Sequence, residues 1–347
     1  MEPVVSLALP VFNGEAYLRE ALSSIASQTF KNFELVIVDN ASTDATPEIC
    51  RSYAATDARV AYHRLPRNIG AGPNFNHAFG LCRGRYFKWC AHDDLISPNF
   101  VERCVSTLES RPDAVLAFGR TECIDDWGEQ IEWHESGFMP PLEQDSPAVR
   151  MRVALRRHGR CFPVFGLFRA DVLRQTTLHR PYYGSDRALL AEIALLGKTV
   201  LVEDAVFFNR HHADRSIMIR DRATRRNWQS GAASRGESLE NISFLKHLVE
   251  ISLRHGNPRD RVAAMAEVLK ARLRPRYFPK YVLDLLRMVS PSAARRMRIK
   301  WLEIFPRQQV DLQKAARSMN GRKTSNKNGE DLNESRYSGR RQGNTTG

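Results

Sequence analysis

The sequence predicts an α/β fold: a doubly wound, mostly parallel, Rossmann-like sheet over residues 1–220, then a C-terminal helical extension over 221–318 and a tail over 319–347. Three observations carry this expectation. Short runs such as FELVIVD (33–39) are apolar on both faces, which suits strands covered on both sides in a parallel sheet. Segments with helical spacing alternate with these runs, as βαβ units require. Polar clusters fall directly after three of the runs, at the carboxyl ends of strands where such sheets bind ligands.

Taken in order, Val4 to Val11 is dense in apolar and β-branched residues and closes on the Asn13-Gly14 turn signal, so it predicts the first strand. In EAYLREALSSIASQ, the residues Leu18, Leu22 and Ile25 recur at helical spacing. FELVIVD predicts the second strand, TPEICRSY a short helix with Pro47 near its start, and RVAYHR (59–64) the third strand. AGPNFNHAFGLC (71–82) predicts a helix and GRYFKWC (84–90) the fourth strand. SPNFVERCVSTLES (97–110) predicts a helix with Ser97 as N-cap and Pro98 at its first position, and AVLAFG (114–119) a further strand. Residues 125–150, with Trp127, Trp133 and the Pro140-Pro141 pair, predict a variable loop.

Net charge is +13, but it is uneven: residues 1–220 hold 25 Lys/Arg against 27 Asp/Glu, and residues 221–347 hold 27 against 12. The basic balance belongs to the C-terminal third. It weighs against nucleic acid as a partner of the first 220 residues and leaves three readings of the rest: an anionic membrane surface, a solvated helical face packed on the main domain, and, as the weakest, nucleic acid. The six cysteines form no C-x-x-C pair and sit among apolar neighbours, which predicts reduced, buried thiols rather than disulfides or a zinc site. No 18-residue uncharged apolar run occurs, and the start MEPVVSLALPVFNGE lacks the features of a signal peptide. The expected location is cytoplasmic, with the inner face of the plasma membrane as the surface the basic third would meet.

The three polar clusters are Pro10 to Glu15, Asp39 to Asp44 and His92-Asp93-Asp94. Alone, Asp39 reads equally well as turn chemistry. Adjacent carboxylates repel unless a cation neutralises them, and hard divalent ions prefer oxygen ligands and bridge to phosphates. The Asp93-Asp94 pair therefore suggests a metal-diphosphate site, with one carboxylate on the ion and the other on a ligand hydroxyl.

The stretch VSLALPVFNGEAYLREALSSIASQTFKNFELVIVDNASTDAT, with NIGAGPNFNHAF and GRYFKWCAHDDLISPNFVERCV, resembles the family 2 glycosyltransferases over about residues 4–220. The resemblance implies a GT-A fold and a metal-dependent, inverting transfer from a nucleotide-sugar donor to a saccharide or lipid-linked acceptor, with Mg²⁺ or Mn²⁺ as cofactor. It implies that Pro10, Phe12, Asn13 and Glu15 cradle the nucleotide, and that Asp39, Asn40 and Asn68 line the nucleoside pocket. Where the family commonly carries a second aspartate this chain has Asn40, whose amide both donates and accepts. By the same resemblance Asp93 meets the ribose, Asp94 and His212 hold the metal, and Asp186 is the general base. Without it, Asp186 reads as an ordinary carboxylate in the first turn of a helix. Arg210 and Arg215, beside the two histidines, are expected to neutralise the leaving diphosphate. A cell-envelope polysaccharide or glycolipid is the expected product class. A nucleotidyltransferase and a silent sugar- or membrane-binding protein on the same fold are the rival readings.

In the basic third, LENISFLKHLVEIS and RDRVAAMAEVLKARL have helical apolar spacing, and PKYVLDLLRMV and ARRMRIKWLEIF mix basic and apolar residues as surface-lying helices do. The tail from 319 is polar and basic, too poor in large apolar residues to sustain a core.

Overall fold

The computed structural model describes residues 2–132, 139–156, 161–219, 221–231 and 239–290, with Ala293, Ala294, Arg296 and Met297. Trp133, the segment 298–305 and the tail from 319 lie outside the described residues. The chain divides into two units, one running to Asp284 and one from Leu285.

The first unit begins with β1 (Val5–Val11), α1 (Leu18–Ala26), β2 (Phe33–Asp39), α2 (Thr46–Thr56), β3 (Val60–Arg64), α3 (Ala71–Gly80) and β4 (Tyr86–Trp89). These match the predicted alternation nearly residue for residue, because the central strands β1 and β2 are almost continuous apolar runs. Every residue of β1, β2 and β4 is buried. There follow β5 (Leu95–Ile96), α4 (Phe100–Ser110), β6 (Ala114–Ile124), β7 (Gln130–Ile131) and α5 (Pro147–Arg156). The region 125–150 therefore carries a short strand and the start of a helix within the expected loop. Next come β8 (Leu167–Arg169), the single-turn α6 (Ala170–Leu173), α7 (Ser185–Leu196) and β9 (Lys198–Arg210). The basic third supplies α8 (Arg222–Ser230), α9 (Glu240–Arg254), α10 (Pro258–Arg272) and α11 (Phe278–Val289).

One sheet joins the strands in the order β3-β2-β1-β4-β8-β6-β9-β5, with β7 on β6. β1 to β4 pair in parallel, β8 runs antiparallel to both β4 and β6, and β6 pairs with β9 in parallel. The double reversal at β8 leaves β6 and β9 pointing the same way as β1 to β4. All six carboxyl ends therefore lie on one edge of the sheet, which is the α/β class expected.

Two cores cover the sheet. On one face Leu18, Leu22 and Ile25 of α1 and Phe100, Val101 and Cys104 of α4 pack against Leu7, Leu9, Leu35 and Ile37. On the other, Phe79 of α3 and Leu189, Leu190 and Ile193 of α7 pack against Ala8, Val36, Trp89, Leu116 and Phe168. A third core joins Ala188 and Ala191 on α7 to Met151, Phe244, Leu248, Ile251, Ala264 and Val268. α7 thus has apolar neighbours on two sides, one supplied by the sheet and the other by α9 and α10. The six cysteines are free; five are buried and Cys161 is half-buried.

One predicted cap is corrected. Helix α4 starts at Phe100, not at Ser97. The Ser97 hydroxyl accepts the Val206 N–H at 3.0 Å and donates to Asn99 Oδ1 at 2.7 Å, while its carbonyl accepts the Phe100 N–H at 2.9 Å. Pairing of β5 with β9 holds the segment extended up to that turn, so Ser97 serves the strand beside it. Among the described residues no helix is long and apolar enough to cross a membrane.

The β6–β9 pair carries a register shift between Gly119 and Arg120. A Cβ on Gly119 would lie 2.5 Å from the Ala205 carbonyl oxygen and 2.7 Å from Phe100 Cε2. Backbone oxygen in a paired strand yields little, so Gly119→Ala is expected to destabilise the fold by about 1–3 kcal/mol. Urea denaturation measures this; unchanged stability would mean that the β6–β9 pair gives way locally.

Candidate active site

The loops that follow β1, β2 and β4 meet on the carboxyl edge of the sheet, as the three polar clusters predict. The β1 and β2 loops are zipped together. Asn13 and Gly14 donate their N–H groups to Ser42 Oγ at 2.9 Å and Thr46 Oγ1 at 2.8 Å, and Asn13 Oδ1 accepts the Thr43 N–H at 2.9 Å. Glu15 Oε2 accepts the Ala45 N–H at 2.8 Å. Pro10 is buried inside β1, whereas Phe12 is 40% exposed beside the zipped loops. The β4 loop closes on the same place: a Cβ on Gly14 would lie 2.7 Å from the His92 ring.

Asp39 is fully buried; it accepts the Ser42 N–H at 2.8 Å and the Tyr62 hydroxyl at 2.8 Å, and Arg64 approaches to 3.3 Å. Asn40, also buried, donates to Asn68 Oδ1 at 3.0 Å and to the Gly70 carbonyl at 3.3 Å, and accepts the Ile69 N–H at 2.9 Å. The Asn40 amide ties the end of β2 to the loop before α3. A carboxylate could not donate either of those bonds.

The acidic pair sits at the end of β4. Asp94 Oδ1 accepts the Asn209 side-chain N–H at 3.0 Å and the Arg210 backbone N–H at 2.8 Å, both from the end of β9. Asp93 Oδ2 faces His212 Nε2 at 2.9 Å. Burial and then the neighbouring Asp93 charge push the Asp94 carboxyl well above the ordinary range. Burial also pushes Asp93 upward, but the charge of His92 and the bond to His212 outweigh it and hold this carboxyl low. The two neighbouring carboxyls are thus shifted in opposite directions, and a nearby cation would relieve the repulsion between them.

The residues present fit a hard divalent ion. Asp94 keeps Oδ2 free of hydrogen bonds to the described residues, and His212 Nδ1 is buried without a partner. An oxygen and a nitrogen donor with the remaining positions left to phosphate oxygens and water suits Mg²⁺ or Mn²⁺. Among the described residues no three His, Cys, Asp or Glu side chains form a metal cage by themselves.

Arg210 overturns the expectation placed on it. Its side chain is fully buried, and its donors are spent within the protein: Nε on the Asp93 carbonyl at 3.0 Å, Nη1 on the Asp125 and Asp126 carbonyls at 3.1 and 3.0 Å, and Nη2 on Glu20 at 2.6 Å. It lies 4.8 Å over the Tyr17 ring, which itself packs 4.8 Å from the His212 ring and donates its hydroxyl to Asp126 at 2.6 Å. Four of the five Arg210 N–H groups are thus engaged, and the fifth, on Nη2, belongs to a side chain with no exposed surface. Arg215 is likewise buried. Tyr17, Glu20 and Asp126 escaped sequence reading because they become neighbours only through the fold. Lys88 had a signal: a lysine within the apolar run of β4. Its Nζ donates to the Phe165 carbonyl and lies 4.6 Å over the Phe100 ring, and burial pulls its pKa down.

Asp186 stands in the first turn of α7, after Gly184, whose φ of 87° favours glycine. Since α7 leads back to the start of β9, its first turn lies on the carboxyl edge with the acidic pair. Its carboxylate accepts the Arg187 N–H at 2.9 Å and bonds with Cys161, and burial raises its pKa despite these contacts.

This sheet, with an acidic pair at the end of β4 and the ends of β1 and β2 zipped above it, is the GT-A arrangement. Staphylococcus aureus TarS (residues 1–349) shares it, with a TM-score of 0.57 at 17% identity over 84% of this chain and 81% of that one. The same protein in complex with UDP-GlcNAc aligns with a TM-score of 0.58 over 82% of this chain and 80% of that one. In sequence, residues 6–176 match the profile described as "Glycosyl transferase family 2". A Bacillus subtilis (strain 168) candidate glycosyltransferase, EpsH, is 34% identical over 218 residues, covering 62% of this chain and 58% of its own. An uncharacterized glycosyltransferase of Rickettsia typhi is 36% identical over 124 residues, 35% of this chain and 38% of its own. Residues 6–176 are thus similar to glycosyl transferase family 2, and the chain spans less than two thirds of the length of these curated relatives.

Replacing Arg210 leaves Glu20 and three carbonyl groups without their donor. Arg210→Gln is expected to cost about 3 kcal/mol or more. Thermal unfolding tests this; a melting temperature equal to wild type would show that the guanidinium holds nothing together.

Proposed function

We propose that the protein is a metal-dependent inverting glycosyltransferase that moves a sugar from a nucleoside-diphosphate donor to an acceptor hydroxyl. The observation that carries the reading is the Asp93-Asp94 pair at the end of β4, Asp94 buried and Asp93 half-buried, with His212 on Asp93 and the zipped β1 and β2 loops beside it. Asp94 and His212 would hold Mg²⁺ or Mn²⁺, and the ion, when bound, neutralises the donor diphosphate. Pro10, Phe12, Asn13 and Glu15 form the wall of the nucleotide cradle, Asp39 and Asn68 shape its floor with Asn40 as the staple, and Asp93 takes a ribose hydroxyl.

Asp186 removes the acceptor hydroxyl proton as that oxygen forms a bond to the anomeric carbon. The bond from that carbon to the diphosphate oxygen breaks on the opposite face, and its electron pair leaves with the nucleotide. One catalytic carboxylate suffices for this, unlike the pair of a glycoside hydrolase. A raised pKa makes Asp186 a better base than an exposed aspartate, provided it is ionised. The similarity of residues 6–176 to glycosyl transferase family 2 and the GT-A fold support the transfer. A polysaccharide or glycolipid acceptor at an anionic membrane surface is the setting we propose, and the exposure of Phe278, Val282, Leu285 and Met288 along α11 supports it.

Calorimetric titration with UDP-, GDP- and TDP-sugars, with Mn²⁺ and with EDTA, is expected to find one donor class that binds with metal, and at least tenfold weaker binding by Asp94→Ala (about 1.4 kcal/mol). Absence of donor binding in every condition would favour a silent binding protein, and pyrophosphate release from a triphosphate would favour a nucleotidyltransferase.

Asp186→Asn is expected to keep donor affinity and to lose about 10²–10⁴ in kcat. Because the base must be ionised, wild-type kcat falls as pH drops through the pKa of Asp186, which lies above the ordinary 3.8. A pH–rate profile flat down to pH 4, or full activity in Asp186→Asn, sinks this assignment.

A further inference from the structure

Beside the proposed base lies a cluster that the transfer chemistry does not use. Helix α8 is capped by Asp221, which accepts the Thr224 N–H at 2.7 Å. Arg222, Arg225, Arg226 and Gln229 recur at helical spacing and share one face. Gln229 anchors that face next to the base, since its Nε2 donates to the Arg180 carbonyl at 3.3 Å and to Ser185 Oγ at 3.4 Å, and Ser185 precedes Asp186. Arg225 lies 4.4 Å over the Tyr183 ring, and Tyr183 meets Trp228, 38% exposed, edge-on at 6.3 Å.

Charge and hydrogen bonding are out of balance here. Arg225 Nη2 holds both oxygens of Glu240 at 3.0 Å, and Arg222 shares Glu240 at 4.0 Å and Asp284 at 3.8 Å. Arg180 pairs with Glu250 at 2.6 Å. Arg226 has no carboxylate partner among the described residues. Three guanidinium nitrogens, Arg180 Nε, Arg225 Nε and Arg226 Nε, are buried and donate to none of the described residues, and Arg222 Nη1 has only the Asp284 carboxylate, at 3.8 Å. Leaving such a donor buried and unpaired is costly, the more so for a charged group. A bound anion is the kind of group that would satisfy such donors, and Arg226 brings a charge that no carboxylate among the described residues balances.

We propose that this face of α8 binds an anionic group, a phosphate or a carboxylate, carried by the acceptor, with Tyr183 and Trp228 as the stacking surface for its sugar ring. The assignment rests on the transferase reading. It falls to the acceptor because the face is anchored to the residue before the base, whereas the donor diphosphate belongs at the acidic pair on β4.

The test titrates full-length protein with inorganic phosphate, glucose 6-phosphate, glucuronate and glucose, and separately with the nucleotide-sugar. Expected is binding of one anionic sugar about tenfold tighter than glucose, weakened about tenfold in Arg226→Gln, with nucleotide-sugar affinity unchanged. The phosphate and glucuronate arms distinguish the two anions. Arg226→Lys, which keeps the charge, retains part of the affinity and guards against a folding defect. Equal phosphate and glucuronate affinity in wild type and Arg226→Gln overturns the proposal. A parallel loss of nucleotide-sugar affinity overturns it too, by placing the face in the donor site. Absence of nucleotide-sugar binding by the wild type sinks the transferase reading and the acceptor assignment with it.

Discussion

The guanidinium of Arg210 is the constraint on which the candidate site depends. It stands at the last residue of β9 and reaches the Asp93 carbonyl, the carbonyls of Asp125 and Asp126 after β6, and Glu20 on α1. Three strand ends and one helix are thereby held by one planar group whose charge is taken up by Glu20 and whose N–H bonds are spent on fixed acceptors. The Arg210 backbone N–H meanwhile fixes Asp94 Oδ1. Position and charge of the acidic pair are therefore set from the opposite half of the sheet. The double reversal at β8 makes this possible, because it turns β6 and β9 to face the same edge as β1 to β4.

The same economy governs the loops after β1 and β2. A loop that must receive a ligand cannot hold its shape through the ligand, so its backbone groups need internal partners. Ser42 and Thr46 accept from the β1 loop, Asn13 and Glu15 accept from the β2 loop, and Asn40 ties the loop before α3 to both. These loops are thus held in shape by the protein itself, the preorganisation that the proposed nucleotide cradle calls for.

What the sequence reveals follows the range of the interactions involved. β2 is legible to the residue because a run apolar on both faces has few other places to go, and the carboxyl-edge rule then brings three clusters together without any coordinates. Asp93 and Asp94 were legible for a local reason, the repulsion of neighbours. Ser97 was misread because its hydroxyl answers to Val206, 109 residues away, rather than to its own helix. Arg210 was misread for a related reason. Beside two histidines an arginine looks like an anion ligand, and only the fold shows Glu20 and three carbonyls closing around it. The three residues of β8 are too few to carry a period, yet their antiparallel insertion decides which way two long strands point.

The position of Asp186 depends on the helices of the basic third as well as on the sheet. α7 buries Leu189, Leu190 and Ile193 against the strands, while Ala188 and Ala191 meet the core formed with α9 and α10. On the same helix Glu192, fully buried, accepts the N–H and hydroxyl of Thr177 at 2.8 and 2.6 Å and pairs with His255 at 2.7 Å. Burial pushes this carboxyl up, but the bonds to His255 and Thr177 win and hold it below its ordinary range. Thr177 and the Tyr182 hydroxyl in turn lie 2.6 and 2.7 Å from the two ring nitrogens of His247 on α9. The strap from Thr177 to Tyr182 leads directly into Gly184 and Asp186, so its course is fixed at both ends by α9 and by the residue that closes it. A helix buried on two sides has little freedom to slide or turn. The residues after 221 thus act on the site through packing: they press α7 onto the sheet and hold the strap that aims its first turn.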